Sequence, residues 1–288
     1  MHYKQYKTIL SPQNGMNIYR GCTHGCIYCD SRSTCYQMDH EFEDVEIKTN
    51  APEMLEDALR KKRKKCMIST GAMTDSYMPL EKDIRYTRLC LEVIEKYGFG
   101  LAIQTKSNLI VRDLDLLRAI NEKAKCVVQM TLTTCDEELC KILEPGVCTT
   151  KERVEVLKTM RDNGIPTVVW FCPLLPFIND TEENLLGILD YCVQAEVWGI
   201  LNYGIGMTLR EGDREYFYAA LDRHFPGLKD KYQRKYGNRY GVTSANNDRL
   251  MDIFYRECQK HDIICDNDEI WQFLRTFPDS SKQLSLLK

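Results

Sequence analysis

Between about residue 50 and residue 205 the sequence alternates helix-period and strand-period segments without a break. That regularity constrains the fold more than any other feature. Strand–helix units in series bury their strands as a parallel sheet with right-handed crossovers. Pro52 to Lys62 reads as a helix with Met54, Leu55, Ala58 and Leu59 as its apolar stripe, followed by a short strand, Cys66 to Thr70. The same logic gives a helix over Ile84 to Tyr97 and a strand over Gly100 to Thr105. Then come a helix over Arg112 to Asn121 and a strand over Cys126 to Leu132. Thr150 to Asn163 is a helix with Gly164 at its C-cap position. Thr167 to Cys172 is apolar nearly throughout, as expected of a strand covered on both faces. Asp180 with Glu183 resembles a capping box opening a helix to Val193, and Val197 to Tyr203 is the last strand. Met16 to Arg20 as a first strand brings the count to six. Loops that carry chemistry belong at the C-terminal ends of such strands. After Gly206 the alternation stops, and residues 212–275 read as helical.

Composition excludes several classes. The chain is 43% hydrophobic with a formal net charge of −3, so it is neither disordered nor a general polyanion binder. Fourteen cysteines in 288 residues are too sparse for a small disulfide scaffold. The longest apolar stretch, Val168 to Ile178, contains Pro173 and Pro176 and falls short of a membrane span. Residues 1–7 lack the apolar stretch of a signal peptide. The expectation is a cytoplasmic protein with reduced cysteines.

Three of those cysteines stand apart. Cys22, Cys26 and Cys29 lie at C-x3-C-x2-C spacing within Arg20-Gly21-Cys22-Thr23-His24-Gly25-Cys26-Ile27-Tyr28-Cys29. Gly21 and Gly25 let the backbone wrap whatever the sulfurs hold. His24 and nearby backbone N–H groups are placed to stabilise thiolate charge. A structural zinc wants four closed ligands, whereas a [4Fe–4S] cube on three thiolates keeps one iron open. Cys135, Cys140 and Cys148 form the only other local trio, the one place for an auxiliary cluster. Cys126, Cys172 and Cys192 read as core.

The cysteine loop after a first strand, followed by βα alternation, resembles the radical SAM superfamily. Further stretches resemble its spore photoproduct lyase-like branch: Thr70 to Asp75, Gln104 to Ser107, Met130 to Thr133, Glu144-Pro145-Gly146 with Arg153, and Pro173 to Pro176. The resemblance covers about residues 14–205. It implies a partial (β/α)6 TIM-like barrel over 14–206, preceded by a segment 1–13 and followed by a helical C-terminal extension, 207–288. It implies a [4Fe–4S] cluster on Cys22, Cys26 and Cys29, with S-adenosylmethionine chelated to the open iron. Tyr28 would pack near the adenine. Thr74, Asp75, Lys106 and Thr131 would contact the methionine and ribose parts, with Lys106 a cation for a carboxylate and Asp75 an acceptor for an ammonium. Pro173 to Pro176, Leu175 included, would run along the adenine. Arg153 opens a helix, where a cation is mildly unfavourable, so a specific acid partner is expected, either Glu144 or the cofactor carboxylate. The implied chemistry is reductive cleavage of S-adenosylmethionine to a 5′-deoxyadenosyl radical that takes hydrogen from a substrate. An oxygen-sensitive enzyme and an electron donor such as flavodoxin or ferredoxin follow from that.

The residues also depart from the branch. Spore photoproduct lyases carry a cysteine hydrogen donor where this chain has Ala72, and a tyrosine where it has Asp30. Repair of the spore thymine dimer is therefore not expected, and no catalytic residue is assigned. Substrate clues are two basic stretches. Arg60 to Lys65 reads as a solvated helix end. Residues 223–240 hold Arg223, Lys229, Lys231, Arg234, Lys235 and Arg239, interleaved with Phe225, Tyr232, Tyr236 and Tyr240. Cations with stacking rings suit nucleic acid, and equally an amphipathic helical lid; a peptide or small molecule stays open as substrate. The alternative to an enzyme is a non-enzymatic iron–sulfur electron carrier or a zinc-stabilised nucleic-acid-binding module.

Overall fold

The computed structural model describes residues 1–278. Its centre is one six-stranded, all-parallel sheet whose spatial order follows the sequence. Three short strands open the chain: β1 (His2–Lys4), β2 (Gly15–Met16) and β3 (Tyr19–Arg20). Then come β4 (Glu46–Lys48), α1 (Ala51–Lys61), β5 (Met67–Thr70), α2 (Glu81–Ile84) and α3 (Tyr86–Lys96). The alternation continues through β6 (Gly100–Thr105), α4 (Leu114–Lys123), β7 (Cys126–Thr131), α5 (Glu137–Leu143) and α6 (Thr150–Asp162). It ends with β8 (Thr167–Trp170), α7 (Glu182–Gln194) and β9 (Gly199–Leu201). The central sheet is β2-β5-β6-β7-β8-β9. The expected α/β partial barrel is therefore the observed class.

Side chains alternate across each strand with period two. Outward residues Ile68, Leu101, Ile103, Val128, Val169 and Ile200 join one core with Leu55, Leu91, Leu117, Leu157 and Ile188 of the covering helices. Residues of the other parity, Met67, Ala102, Val127, Val168 and Leu201, form a second core with Ile270 and Leu274 of α11 (Asn267–Arg275), the last helix. This accounts for the near-continuous hydrophobicity of β8: α11 fills the barrel interior while helices cover the outside. Burying Ile270 and Leu274 contributes about 1.5–3 kcal/mol each.

The extension is not purely helical. After β9 the chain adds β10 (Gly206–Thr208), α8 (Asp213–His224), α9 (Leu228–Tyr236), β11 (Gly241–Thr243) and α10 (Asn247–Lys260). β10 and β11 pair antiparallel, Met207 opposite Val242. β11 interrupts the helix expected across 212–275, and local periodicity does not reveal the ribbon because its strands are three residues long and separated by 32 residues. Residues 279–288 of the expected extension lie outside the described residues.

Two further expectations are corrected. Met16 to Arg20 is not one strand: β2 joins the central sheet, whereas β3 pairs with β4 in a separate sheet of order β1-β4-β3. The α7 cap is Thr181, whose hydroxyl accepts from Asn184 N at 3.2 Å, not Asp180. Asp180 instead accepts from Phe177 N at 2.7 Å and from the Ser244 hydroxyl, tying the barrel to the extension.

Candidate functional site

The cysteine loop leaves β3 at Gly21, where φ is +85° and a Cβ would stand 2.4 Å from the Phe42 carbonyl oxygen, so only glycine fits without a shift. Cys22 N donates to that same oxygen at 2.9 Å. On its other flank the loop is pinned by the turn after α5. Ile27 N donates to Leu143 O at 2.9 Å, and Gly146 N donates to His24 O at 2.8 Å. Glu144-Pro145-Gly146 is thus a brace, with Pro145 packed 3.3 Å from the Cβ position of Gly25.

Cys22 and Cys26 are buried and Cys29 is half-buried. Burial pushes the Cys22 thiol up to about 12, and Cys26 likewise rises. Such thiols become thiolates when bound iron neutralises the charge. His24, buried and with Nδ1 3.5 Å from Asp75 Oδ2, is held below its ordinary pKa by burial despite the aspartate. Its help to thiolate charge is thus that of a neutral imidazole N–H.

The loop opens on a cleft of about 600 Å³ at the C-terminal ends of the strands. Tyr28, Cys29, Lys106 and Thr131 of the expected site line it together. The Thr131 hydroxyl, at the cleft wall, is buried and has no hydrogen-bond partner. Lys106 makes no ion pair among the described residues. Burial works against its charge, but Cys26, Glu144 and Asp75 outweigh it and raise its pKa. An ammonium and an orphaned hydroxyl beside three thiols fit a cluster with a carboxylate-bearing cofactor. Thr74 lies next door in a smaller recess with Tyr36 and Met38.

Three expected cofactor contacts are instead structural. Asp75 is largely engaged by the protein: Oδ1 accepts from Thr105 Oγ1 at 2.7 Å and Tyr77 N at 2.8 Å, and Oδ2 from Lys106 N at 2.8 Å. It positions the backbone of Lys106. Arg153 is 0% exposed and reaches no cleft. It ion-pairs with Glu144, and its guanidinium donates to Thr131 O at 2.8 Å, so Glu144 is the acid partner and the cofactor carboxylate is not. Leu175 is buried behind the loop with Cys26, Ile27 and Tyr28. Of the Pro173 to Pro176 stretch, Pro173 alone lines the cleft.

Cys172 also departs from expectation. Expected in the core, it lines the cleft beside Pro173, because it lies two residues beyond Trp170, where β8 ends, and so sits at the rim. Cys126 and Cys192 are fully buried, as expected. Cys140 contacts Arg153 Nη2 at 3.0 Å and Cys148 lies 3.2 Å from Lys106 O, so that trio is divided among other duties. Cleft residues that sequence reasoning missed are Tyr36, Trp170, Tyr203 and Thr208. Position just after β9 was the available signal for Tyr203. Ala72 and Asp30 both line the cleft, with Asp30 accepting from Tyr36 Oη at 2.8 Å and Thr208 Oγ1 at 3.0 Å.

The basic stretch reads differently in three dimensions. Tyr232 and Tyr236 are buried and unavailable for stacking, because α9 turns them onto Phe177 and Phe217. Tyr240 is exposed, and Arg234, Lys235 and Arg239 are exposed cations. Among the described residues no helix is long and apolar enough to cross a membrane.

A parallel partial barrel with a three-cysteine loop at its rim defines a class of metal-cofactor enzymes. The pattern of the radical SAM superfamily matches residues 16–189, and the chain belongs to that superfamily. An uncharacterized protein of Mycobacterium tuberculosis (strain H37Rv) is 30% identical over 227 residues, 77% of this chain and 66% of that relative. The chain thus spans just under two thirds of the relative's length. A variant of spore photoproduct lyase superposes with a TM-score of 0.62 at 13% identity, covering 85% of this chain and 72% of the other. The radical S-adenosylmethionine methyltransferase TsrM from Kitasatospora setae, solved with cobalamin and a [4Fe–4S] cluster, gives 0.50 at 17% identity, covering 68% and 34%. At these identities the likeness is one of fold.

Proposed function

We propose that this chain is a radical SAM enzyme holding a [4Fe–4S] cluster on Cys22, Cys26 and Cys29 and S-adenosylmethionine in the adjoining cleft. The observation that carries this reading is the joint lining of one cleft by the cysteine loop, Lys106 and the unpartnered Thr131 hydroxyl. When bound, the pair supplies a one-electron cleavage that yields methionine and a 5′-deoxyadenosyl radical able to take hydrogen from a substrate. Lys106 offers its ammonium to the methionine carboxylate, and Thr131 offers its hydroxyl to the cofactor. Tyr28 and Pro173 face the adenine, and Thr74 borders the same rim. Asp75 and Arg153 act indirectly, holding Lys106 and the Glu144 brace. β10 and β11 of the extension close the far wall and exclude water. Residues 14–206 make the catalytic barrel, and within the extension that follows β10 and β11 face the substrate.

The substrate enters beside Tyr203, which is 57% exposed at the mouth. A nucleic acid or nucleotide is favoured by the exposed cations of α9 leading into Tyr240 and β11. Ala72 and Asp30 in the cleft argue against spore photoproduct reversal, since neither side chain passes a hydrogen atom as a thiol or phenol does. A flavodoxin or ferredoxin supplies the electron, and the enzyme is oxygen-sensitive.

Anaerobic reconstitution tests the cofactor assignment. About four iron and four sulfide per chain are expected, lost in Cys22→Ala. A tightly bound zinc in their place would overturn it. For the substrate, salt-dependent binding to single-stranded DNA or RNA that weakens in the Arg234→Ala, Lys235→Ala double variant is expected. No binding by the native chain refutes that part alone.

A further inference from the structure

The small N-terminal sheet carries a set of donors that do not line the cleft. His2 of β1, with His40 and Asp44 of the segment before β4, offer three ligand atoms that all lie within 4.8 Å of one another. Nδ1 of His40 is 3.0 Å from the Glu41 carbonyl oxygen. A carbonyl only accepts, so Nδ1 carries the proton and Nε2 presents a bare lone pair. That Nε2 is sealed from solvent and has no hydrogen-bond partner.

A second buried acceptor stands beside it. Glu46 is 0% exposed, and its Oε2 also has no hydrogen-bond partner. Its charge is met by the Lys4 ammonium, ion-paired with Oε2 at 3.0 Å, and His2 Nε2 lies 3.5 Å from the same oxygen. The buried His40 Nε2 lone pair faces no proton, which costs free energy, and a cation there removes that cost.

We propose that His2, His40 and Asp44 bind a divalent transition-metal ion, with zinc the best fit. Two imidazole nitrogens and one carboxylate oxygen are a donor set that zinc takes, with water in the remaining position. His40 ligates through Nε2. His2 ligates through Nδ1, which already lies 3.0 Å from Asp44 Oδ2, and its Nε2–H then turns to Glu46, which steadies the ring. The alternative group, Asp39, His40 and Glu46, is held by Lys4, whose ammonium lies 3.5 Å from Asp39. The ion would tie β1 to the segment whose Phe42 carbonyl anchors Cys22, bracing the cysteine loop from outside.

The test is zinc stoichiometry by elemental analysis. Cluster-loaded protein is stripped with a chelator, exposed to zinc sulfate and desalted. About one zinc per chain is expected, with affinity reduced at least about tenfold in His40→Ala. His2→Gln, at a half-exposed position, shows the same loss while the metal-free protein keeps its unfolding temperature. The Cys22→Ala, Cys26→Ala, Cys29→Ala variant keeps its zinc, which separates this site from the cluster. Failure of the native protein to retain zinc overturns the proposal. So does retention unchanged in His40→Ala, or zinc lost in the triple cysteine variant.

Discussion

Arg153 and Glu144 form an ion pair in which both side chains are 0% exposed, and the same carboxylate accepts the Tyr28 hydroxyl from inside the cysteine loop. One buried pair therefore links α6, the turn after α5 and the loop. Burial alone would raise the Glu144 pKa, but Arg153 and Lys106 hold it below the usual carboxylate range. Its contribution is thus present above the unfolded pKa of about 4.3 and is lost as pH falls through the folded value. Glu144→Leu is expected to cost about 3–5 kcal/mol in denaturant unfolding of the apo-protein, because it leaves a buried cation without a partner. Glu144→Leu with Arg153→Met is expected to cost less than either change alone.

Lys106 has a different task. Its ammonium lies in the cleft without an ion-pair partner among the described residues. Lys106→Met is expected to weaken S-adenosylmethionine binding about 10- to 100-fold in an anaerobic titration, the value of a charge-assisted hydrogen bond. Iron content stays unchanged. Equal loss of iron would show that Lys106 serves the cluster loop instead.

Gly146 is where the brace touches the loop. A Cβ there would stand 2.7 Å from the His24 carbonyl oxygen and 2.8 Å from its Cα, both backbone atoms that cannot swing aside. Gly146→Ala is expected to cost about 1–3 kcal/mol and to lower iron retention, with far-ultraviolet circular dichroism unchanged.

Asp213 is a liability in the native state. It is 1% exposed and neither carboxylate oxygen has a hydrogen-bond partner. Burial, with the nearby charge of Asp30, pushes its carboxyl up to about 7. Between about pH 4 and that value the folded chain holds a proton that the unfolded chain has released, so stability falls as pH rises through this window. Asp213→Asn is expected to stabilise by about 1–3 kcal/mol near pH 8, an advantage that fades toward about pH 4 in thermal unfolding.

The parts of this architecture that were legible in the sequence are those written in local periodicity. The strands from Met67 to Leu201 and the helices α3, α4, α6 and α7 between them follow from apolar spacing, whereas the short α2 and α5 do not; the Cys22, Cys26 and Cys29 loop follows from its glycines. What escaped depends on contacts between distant residues. Ile270 and Leu274 belong to an ordinary amphipathic helix, and nothing local says that its partner is the barrel interior. Tyr232 and Tyr236 alternate with lysines in a way that suits a binding face as well as a buried one. Arg153 and Asp75 have the right residue types for cofactor contacts, yet their side chains are consumed by Glu144, Thr105 and Tyr77. Cys172 was hidden by its own strand, whose hydrophobicity masks the step from core to rim.

The central claim is that the cleft beside Cys29 carries out reductive cleavage of S-adenosylmethionine. The most direct measurement is 5′-deoxyadenosine formed by anaerobically reconstituted protein with dithionite and S-adenosylmethionine. 5′-Deoxyadenosine is expected to form, and Cys26→Ala to abolish it. No 5′-deoxyadenosine from native protein carrying its full cluster, or the same yield from Cys26→Ala, would contradict it.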